Sequence, residues 1–121
     1  MKALAATVLT AAVLAGCGGS SSPLQPAGSF LVTMTEFKFT PDTLTVPSGR
    51  VVFYLVNGGS NTSHDMVIRD GTGKRIAGSD LVSTGDTSVF TVATIAAGTY
   101  TYFCQVPGHR QAGMLGTLIV K

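Results

Sequence analysis

Residues 98–121 read GTYTYFCQVPGHRQAGMLGTLIVK. An alternating aromatic run, GTYTYF, leads into an eleven-residue loop from Cys104 to Met114, and the run LGTLIV follows. Strand geometry sends successive side chains to opposite faces, so Tyr100, Tyr102 and Cys104 share one face while Thr101 and Phe103 share the other. With the two tyrosines pointing into a core, the Cys104 sulfur also points inward, at the end of that core. Pro107-Gly108 then turns the chain so that His109 returns beside the sulfur, and Ala112-Gly113 makes a second tight turn that brings Met114 underneath.

The same β pattern extends backward to Phe30. FLVTMTEF alternates, TLTV follows Pro41-Asp42, and VVFYLVN is a β-branched and aromatic run opened by Pro47-Ser48-Gly49. HDMVI, a turn at Asp70-Gly71-Thr72-Gly73, and the alternating TSVFTVA complete the series. Short strands at regular spacing, divided by glycine-rich turns, predict an all-β sandwich or barrel. Residues 74–85 (KRIAGSDLVSTG) carry no clear period and read as a loop or short helix. Met34, Met66, Phe37, Phe39, Phe53, Tyr54 and Phe90 read as core or surface packing.

Taken singly, Cys104 reads as a small buried hydrophobe, Met114 as core, and His64 as a hydrogen-bonded structural histidine. Together they read otherwise. Cys104, His109 and Met114 stand in a C-x4-H-x4-M run, and His64, the other of two histidines in the chain, lies forty residues upstream of the cysteine. A thiolate, two imidazoles and a thioether are the ligand set of a mononuclear electron-transfer copper site. The thiolate favours copper over harder ions, and the weak thioether tunes the potential. Zinc fits the same donors, but divalent copper stands above it in intrinsic affinity. With both histidines used, none is left for a second copper centre, and the single Cys104 excludes a two-cysteine binuclear one. The chain is expected to be no enzyme.

The N-terminus has a different character. Met1-Lys2 precedes an apolar run, residues 3–15 (ALAATVLTAAVLA), which suits a signal-peptide core and is too short to span a bilayer. It ends in Leu14-Ala15-Gly16-Cys17, which resembles a bacterial lipobox with Cys17 as the lipidated residue. Residues 1–16 are therefore expected to be a lipoprotein signal, 17–29 the lipidated cysteine and a flexible tether, and 30–121 the domain. The dozen small, polar and proline residues of 18–29 would reach roughly 20 Å. Acyl chains contribute about 0.8 kcal/mol per buried CH2, so the protein is expected to be anchored to a bacterial membrane on its periplasmic or cell-surface side. A disulfide between Cys17 and Cys104 makes no structural sense, because it would join tether to strand end. Apart from Lys2, seven Lys and Arg stand against six Asp and Glu, scattered singly along the chain. No basic stripe for nucleic acid appears, and a monomer is expected.

The run YTYFCQVPGHRQAGM resembles a cupredoxin ligand loop, with the spacing of auracyanin- and rusticyanin-type members rather than that of plastocyanin or azurin. FKFTPDTLTVPSGRVVFYLVNGGSNTSHDMVI is similar to the first half of the cupredoxin pattern, so the resemblance covers most of residues 30–121. It implies a Greek-key β-sandwich or barrel of about seven to eight strands. It also implies one copper ion cycling between Cu(I) and Cu(II), with His64, Cys104 and His109 as equatorial ligands and Met114 as the axial one. Many cupredoxins carry Asn after the first histidine and Ser or Thr after the cysteine; Asp65 and Gln105 stand there instead. An inward-facing carboxylate at 65 would favour Cu(II) and lower the potential.

The function implied is single-electron shuttling between extracytoplasmic redox partners. His109 would be the gateway, framed by an uncharged docking patch of Pro107, Gly108, Ala112, Gly113 and Leu115. The alternative is copper delivery or buffering, which usually brings Met- or His-rich segments that this chain lacks.

Overall fold

Alternation in Gly49–Asn57 shows how this chain builds a core. Val51, Phe53, Leu55 and Asn57 are buried while the residues between them are not, as a strand with one face inward requires. The structure, a computed structural model, describes residues 23–121. Among them nine strands form: β1 (Phe30–Thr35), β2 (Lys38–Thr40), β3 (Thr43–Val46), β4 (Gly49–Asn57), β5 (Val67–Arg69), β6 (Arg75–Gly78), β7 (Thr87–Ile95), β8 (Gly98–Phe103) and β9 (Leu115–Val120).

They make two sheets, ordered β2-β1-β4-β7 and β3-β9-β8-β5-β6. Two parallel pairings, β1 with β4 and β3 with β9, join strands that are not hairpin neighbours. The remaining pairings are antiparallel. The inner faces meet in one core: Val32, Met34, Phe53 and Leu55 from the first sheet, Ile68, Tyr102 and Leu118 from the second. The all-β sandwich expected from the pattern is the fold observed.

Nine strands exceed the expected seven to eight. FLVTMTEFKF divides at Glu36-Phe37 into β1 and β2, and RIAG forms β6 inside the segment expected to be a loop or short helix. β6 exists because β5 offers an open edge: Ile68 pairs Ala77 and Val67 pairs Gly78. Four residues with no alternation carry no such signal in isolation. HDMVI is also shorter as a strand than expected, since regular pairing begins only at Val67.

Two close approaches fix the end of the sandwich that carries the loop of residues 104–114. Tyr102 is fully buried, and its hydroxyl donates to the Pro41 carbonyl at 2.6 Å. Beside it Gly116 leaves room for the ring, because a Cβ there would lie 2.6 Å from the Asp42 carbonyl oxygen and inside the Tyr102 ring. Residues 1–16, Cys17 and the tether as far as residue 22 lie outside the described residues. The tether's last part, 23–29, meets the domain where the Tyr54 hydroxyl donates to the Pro23 carbonyl at 2.7 Å, and turns on itself where Ser29 Oγ donates to the Pro26 carbonyl at 2.6 Å.

Candidate metal centre

Three segments converge beyond the end of β8. Cys104 follows the strand directly, so strand alternation carries its sulfur inward with Tyr100 and Tyr102, and all three are buried. His109 and Met114 come from the loop between β8 and β9. That loop is closed by its own main chain: His109 N–H donates to Val106 O at 3.0 Å, Met114 N–H to His109 O at 3.1 Å, and Cys104 N–H to Met114 O at 3.2 Å. Gly108 and Gly113 take φ of +85° and +109°, the left-handed turn region that glycine enters without cost.

His64 arrives from the connection between β4 and β5, which crosses from the first sheet to the second. Its main chain exchanges two hydrogen bonds with Val82, at 3.1 and 2.8 Å. The preceding loop is pinned by buried Asn57, whose Nδ2 donates to the carbonyls of Thr62 and Val82, both at 2.9 Å, while its Oδ1 accepts from Gly59 N–H at 3.0 Å. Neither Asn57 nor Val82 stands out in the sequence. Asn57 ends an apolar alternation at a buried position, which is the one signal that could have marked it.

The donor atoms gather tightly. His64 Nδ1 lies 3.2 Å from His109 Nδ1, and Cys104 Sγ lies 3.5 Å from His109 Nδ1 and 4.0 Å from His64 Nδ1. Metal–nitrogen and metal–sulfur bonds of about 2.0–2.1 and 2.3 Å, as for zinc, reach at most about 4.4 Å end to end, so one ion can touch all three. Two imidazole nitrogens aimed at each other inside a protein have little reason to meet except through a shared cation or proton. His64, Cys104 and Met114 are fully buried and His109 is 8% exposed. Burial raises the Cys104 thiol above its usual range and lowers the His64 imidazole below its own. The protein alone thus disfavours charge here, and a bound cation reverses that balance by drawing off the thiol proton.

Around the donors sit residues of three kinds. Asp65 is fully buried, and its Oδ1 accepts the Gln105 backbone N–H at 2.8 Å. The carboxylate therefore ties the two ligand-bearing segments together, while its Oδ2 has no partner. Glu36 Oε1 faces His64 Nε2 at 3.4 Å, off line for a true hydrogen bond but close enough for a charge contact. The same carboxylate accepts the N–H groups of Ser60, at 3.1 Å, and Asn61, at 3.4 Å, and the Ser60 bond above all lowers its pKa. Phe37, 41% exposed, sets its ring edge-on to His109 with centroids 4.8 Å apart. Glu36 and Phe37 form the β1–β2 turn, and the sequence reading missed Glu36 and took Phe37 for packing. Pro107, Gly108, Ala112, Gly113 and Leu115 are all exposed, in the loop that carries His109 or directly after it.

A family profile described as "Cupredoxin-like domain" matches residues 5–120. This chain belongs to the cupredoxin-like family. Plastocyanin from the fern Dryopteris crassirhizoma is 35% identical over 97 residues, covering 71% of this chain and 90% of that one. Chloroplastic plastocyanin from Chlamydomonas reinhardtii is 33% identical over 89 residues, covering 69% of this chain but 59% of the relative's length. Reduced auracyanin from Roseiflexus castenholzii shares the fold, with a TM-score of 0.69 at 21% identity, covering 80% of this chain and 99% of that one. Within this cupredoxin frame, His64, Cys104, His109 and Met114 are arranged as a type 1 copper ligand set.

Proposed function

We propose that this cupredoxin is a one-electron carrier holding one copper ion on His64, Cys104 and His109, with Met114 as the weak axial ligand. The observation that carries the reading is the buried triad of donor atoms 3.2–4.0 Å apart. When bound, copper supplies a one-electron couple, Cu(II)/Cu(I).

The residues supply the rest. Cross-strand pairing, the Asn57 and Asp65 ties and the closed loop hold the donors in fixed positions, so that a change of oxidation state need move little. The buried sulfur and Met114 exclude water, which keeps the exchange to electrons. His109 alone of the donors has an exposed edge, and the uncharged residues around it suit brief docking. Burial of every donor favours a carrier over a delivery protein, which must release its metal to an acceptor. We further propose that the domain is anchored through Cys17 on the extracytoplasmic side of a membrane, where it serves other redox proteins without itself catalysing a reaction.

The decisive experiment is the optical spectrum of the Cu(II)-loaded protein. An intense thiolate-to-copper band, absent in Cys104→Ser, supports the reading. A colourless copper-loaded protein would sink it.

A further inference from the structure

Three strands in register build the outer face of the first sheet. Leu31 on β1 pairs Tyr54 on β4, and Tyr54 pairs Val89 on β7, so these side chains form one row. Their neighbours Val32, Phe53 and Phe90 are buried in the core, which puts the row on the outside. Thr33, Val56 and Thr87 make the next row in the same register. Neither row carries a charge; charges begin only at Arg50, where β4 starts, and at Lys38 on β2. Leu31 is 45% exposed and Val89 40%, two of the six large hydrophobic side chains left so open among the described residues. Phe37 and Leu115 adjoin the metal centre and Leu81 lies in a loop.

The sixth, Leu24, is 90% exposed and stands next to the point where the tether meets this face. That point is the bond from the Tyr54 hydroxyl to the Pro23 carbonyl at 2.7 Å. Six residue steps separate Pro23 from Cys17. Fully extended, six residues span at most about 20–22 Å. A path from Tyr54 round the edge strand β7 to the far side of the sandwich is longer than it looks. It crosses one strand spacing of about 4.8 Å, the roughly 10 Å between packed sheets, and the side chains of both outer faces. That consumes the reach, so an anchor at Cys17 stays on the side of the first sheet.

We propose that the outer face of the first sheet lies on a lipid bilayer through Leu24, Leu31, Tyr54 and Val89, held there by the tether bonded at Tyr54. This rests on the reading of Cys17 as the lipidated residue and assigns the face that the anchor turns to the membrane. A lipid surface fits this face. Exposed aliphatic side chains gain from the headgroup boundary, and a tyrosine there keeps its ring in apolar surroundings and its hydroxyl hydrogen-bonded. The two rows hold no carboxylate to repel anionic lipids. With the sheet flat on the membrane, its strands run along the surface. The end of the sandwich that carries His64, Cys104, His109 and Met114 then looks sideways, toward redox partners standing in the same layer.

The test uses the full acylated chain, loaded with Cu(I), in vesicles of phosphatidylcholine and phosphatidylethanolamine. Acylation blocks Cys17 and the metal blocks Cys104, so one added cysteine takes a bimane label. Thr91→Cys places it on the outer face of the first sheet, and Thr45→Cys on that of the second. A nitroxide on the lipid headgroups should quench the Thr91 label at least about threefold more than the Thr45 label, because the two faces stand apart by more than the roughly 10 Å between sheets. Equal quenching, or stronger quenching at Thr45, would overturn the proposal. Tyr54→Phe frees Pro23 and should narrow the ratio about twofold, within the range of one surface hydrogen bond. An unchanged ratio would show that the tether bond does not hold the face, and would overturn it too. In the soluble Cys17→Ser chain the Thr91 label should stay open to iodide at every protein concentration. Shielding that grows with concentration, with a dimer in sedimentation, would assign the face to a second copy and overturn the proposal as well. A full chain that neither floats with the vesicles nor carries acyl mass fails the anchor reading itself, and this proposal with it.

Discussion

Asp65 Oδ1 accepts the backbone N–H of Gln105 at 2.8 Å, so the residue after the first histidine ligand is fastened to the residue after the cysteine. Each ligand segment is thereby held by the other, although they come from different parts of the chain. A carboxylate does this as well as an amide, because only an acceptor oxygen is required. Burial is the main reason the Cys104 pKa is raised, and the carboxylate adds to it through space while the Gln105 tie positions the chain.

Asp65→Asn should therefore keep the tie and the colour while raising the reduction potential, because loss of a nearby anion disfavours Cu(II). Asp65→Ala should lose the tie, costing about 1.5–3 kcal/mol for a bond to a charged acceptor. Voltammetry and chemical denaturation of the two variants separate the effects. An unchanged potential in Asp65→Asn would show that its charge is screened from the centre.

Glu36 acts on the opposite side of His64. Its carboxylate faces His64 Nε2 at 3.4 Å, across the ring from the Nδ1 that would hold the metal, so its removal in Glu36→Gln should raise the potential. Loop 58–63 should also loosen, since Ser60 and Asn61 lose a charged acceptor. The voltammetric shift, with faster amide exchange at Ser60 and Asn61, checks both parts.

Tyr102 tests the core apart from the centre. Its hydroxyl donates to Pro41 O, and burial pushes its ionisation well above the usual range for tyrosine. Tyr102→Phe should leave that carbonyl unpaired and cost about 1–2 kcal/mol. That corresponds to roughly 4–16 °C in Tm for a domain of this size. The optical spectrum of the copper-loaded form should not change.

Asp70 gives a stability term with a defined pH window. Its pKa is lowered, first by the Thr72 hydroxyl and then by the N–H groups of Thr72 and Lys74. A depressed carboxylate stabilises the fold above its unfolded pKa, and that contribution is lost as pH falls through the folded value. The metal-free protein and Asp70→Asn should therefore differ in urea midpoint at pH 7 and converge on acidification below the usual carboxylate range. A difference that persisted at low pH would assign the effect to turn geometry alone.

Leu115, 44% exposed at the start of β9 directly after the ligand loop, probes the uncharged face. Leu115→Lys should slow electron self-exchange, measured by NMR line broadening in mixtures of the two oxidation states, on the order of 3–10-fold through like-charge apposition. The optical band should stay unchanged. Equal self-exchange rates would remove this face from the exchange contact.

The chain by itself determined the strands with alternation and the ligand types. Alternation through Tyr100, Tyr102 and Cys104 tells which way the sulfur points, because a strand allows only two faces, and two turn-forming pairs suffice to fold one loop back on itself. These are local properties, carried by neighbours in sequence. Tertiary structure alone decided what depends on contacts between distant segments. β6 forms only against the edge of β5. The orientation of Asp65 follows from where Gln105 N–H lies, and Glu36 and Phe37 reach the centre only because the β1–β2 turn folds over it. Arg69 and Arg110, scattered singly in the sequence, meet over the Phe103 ring because strand register and the ligand loop bring them there.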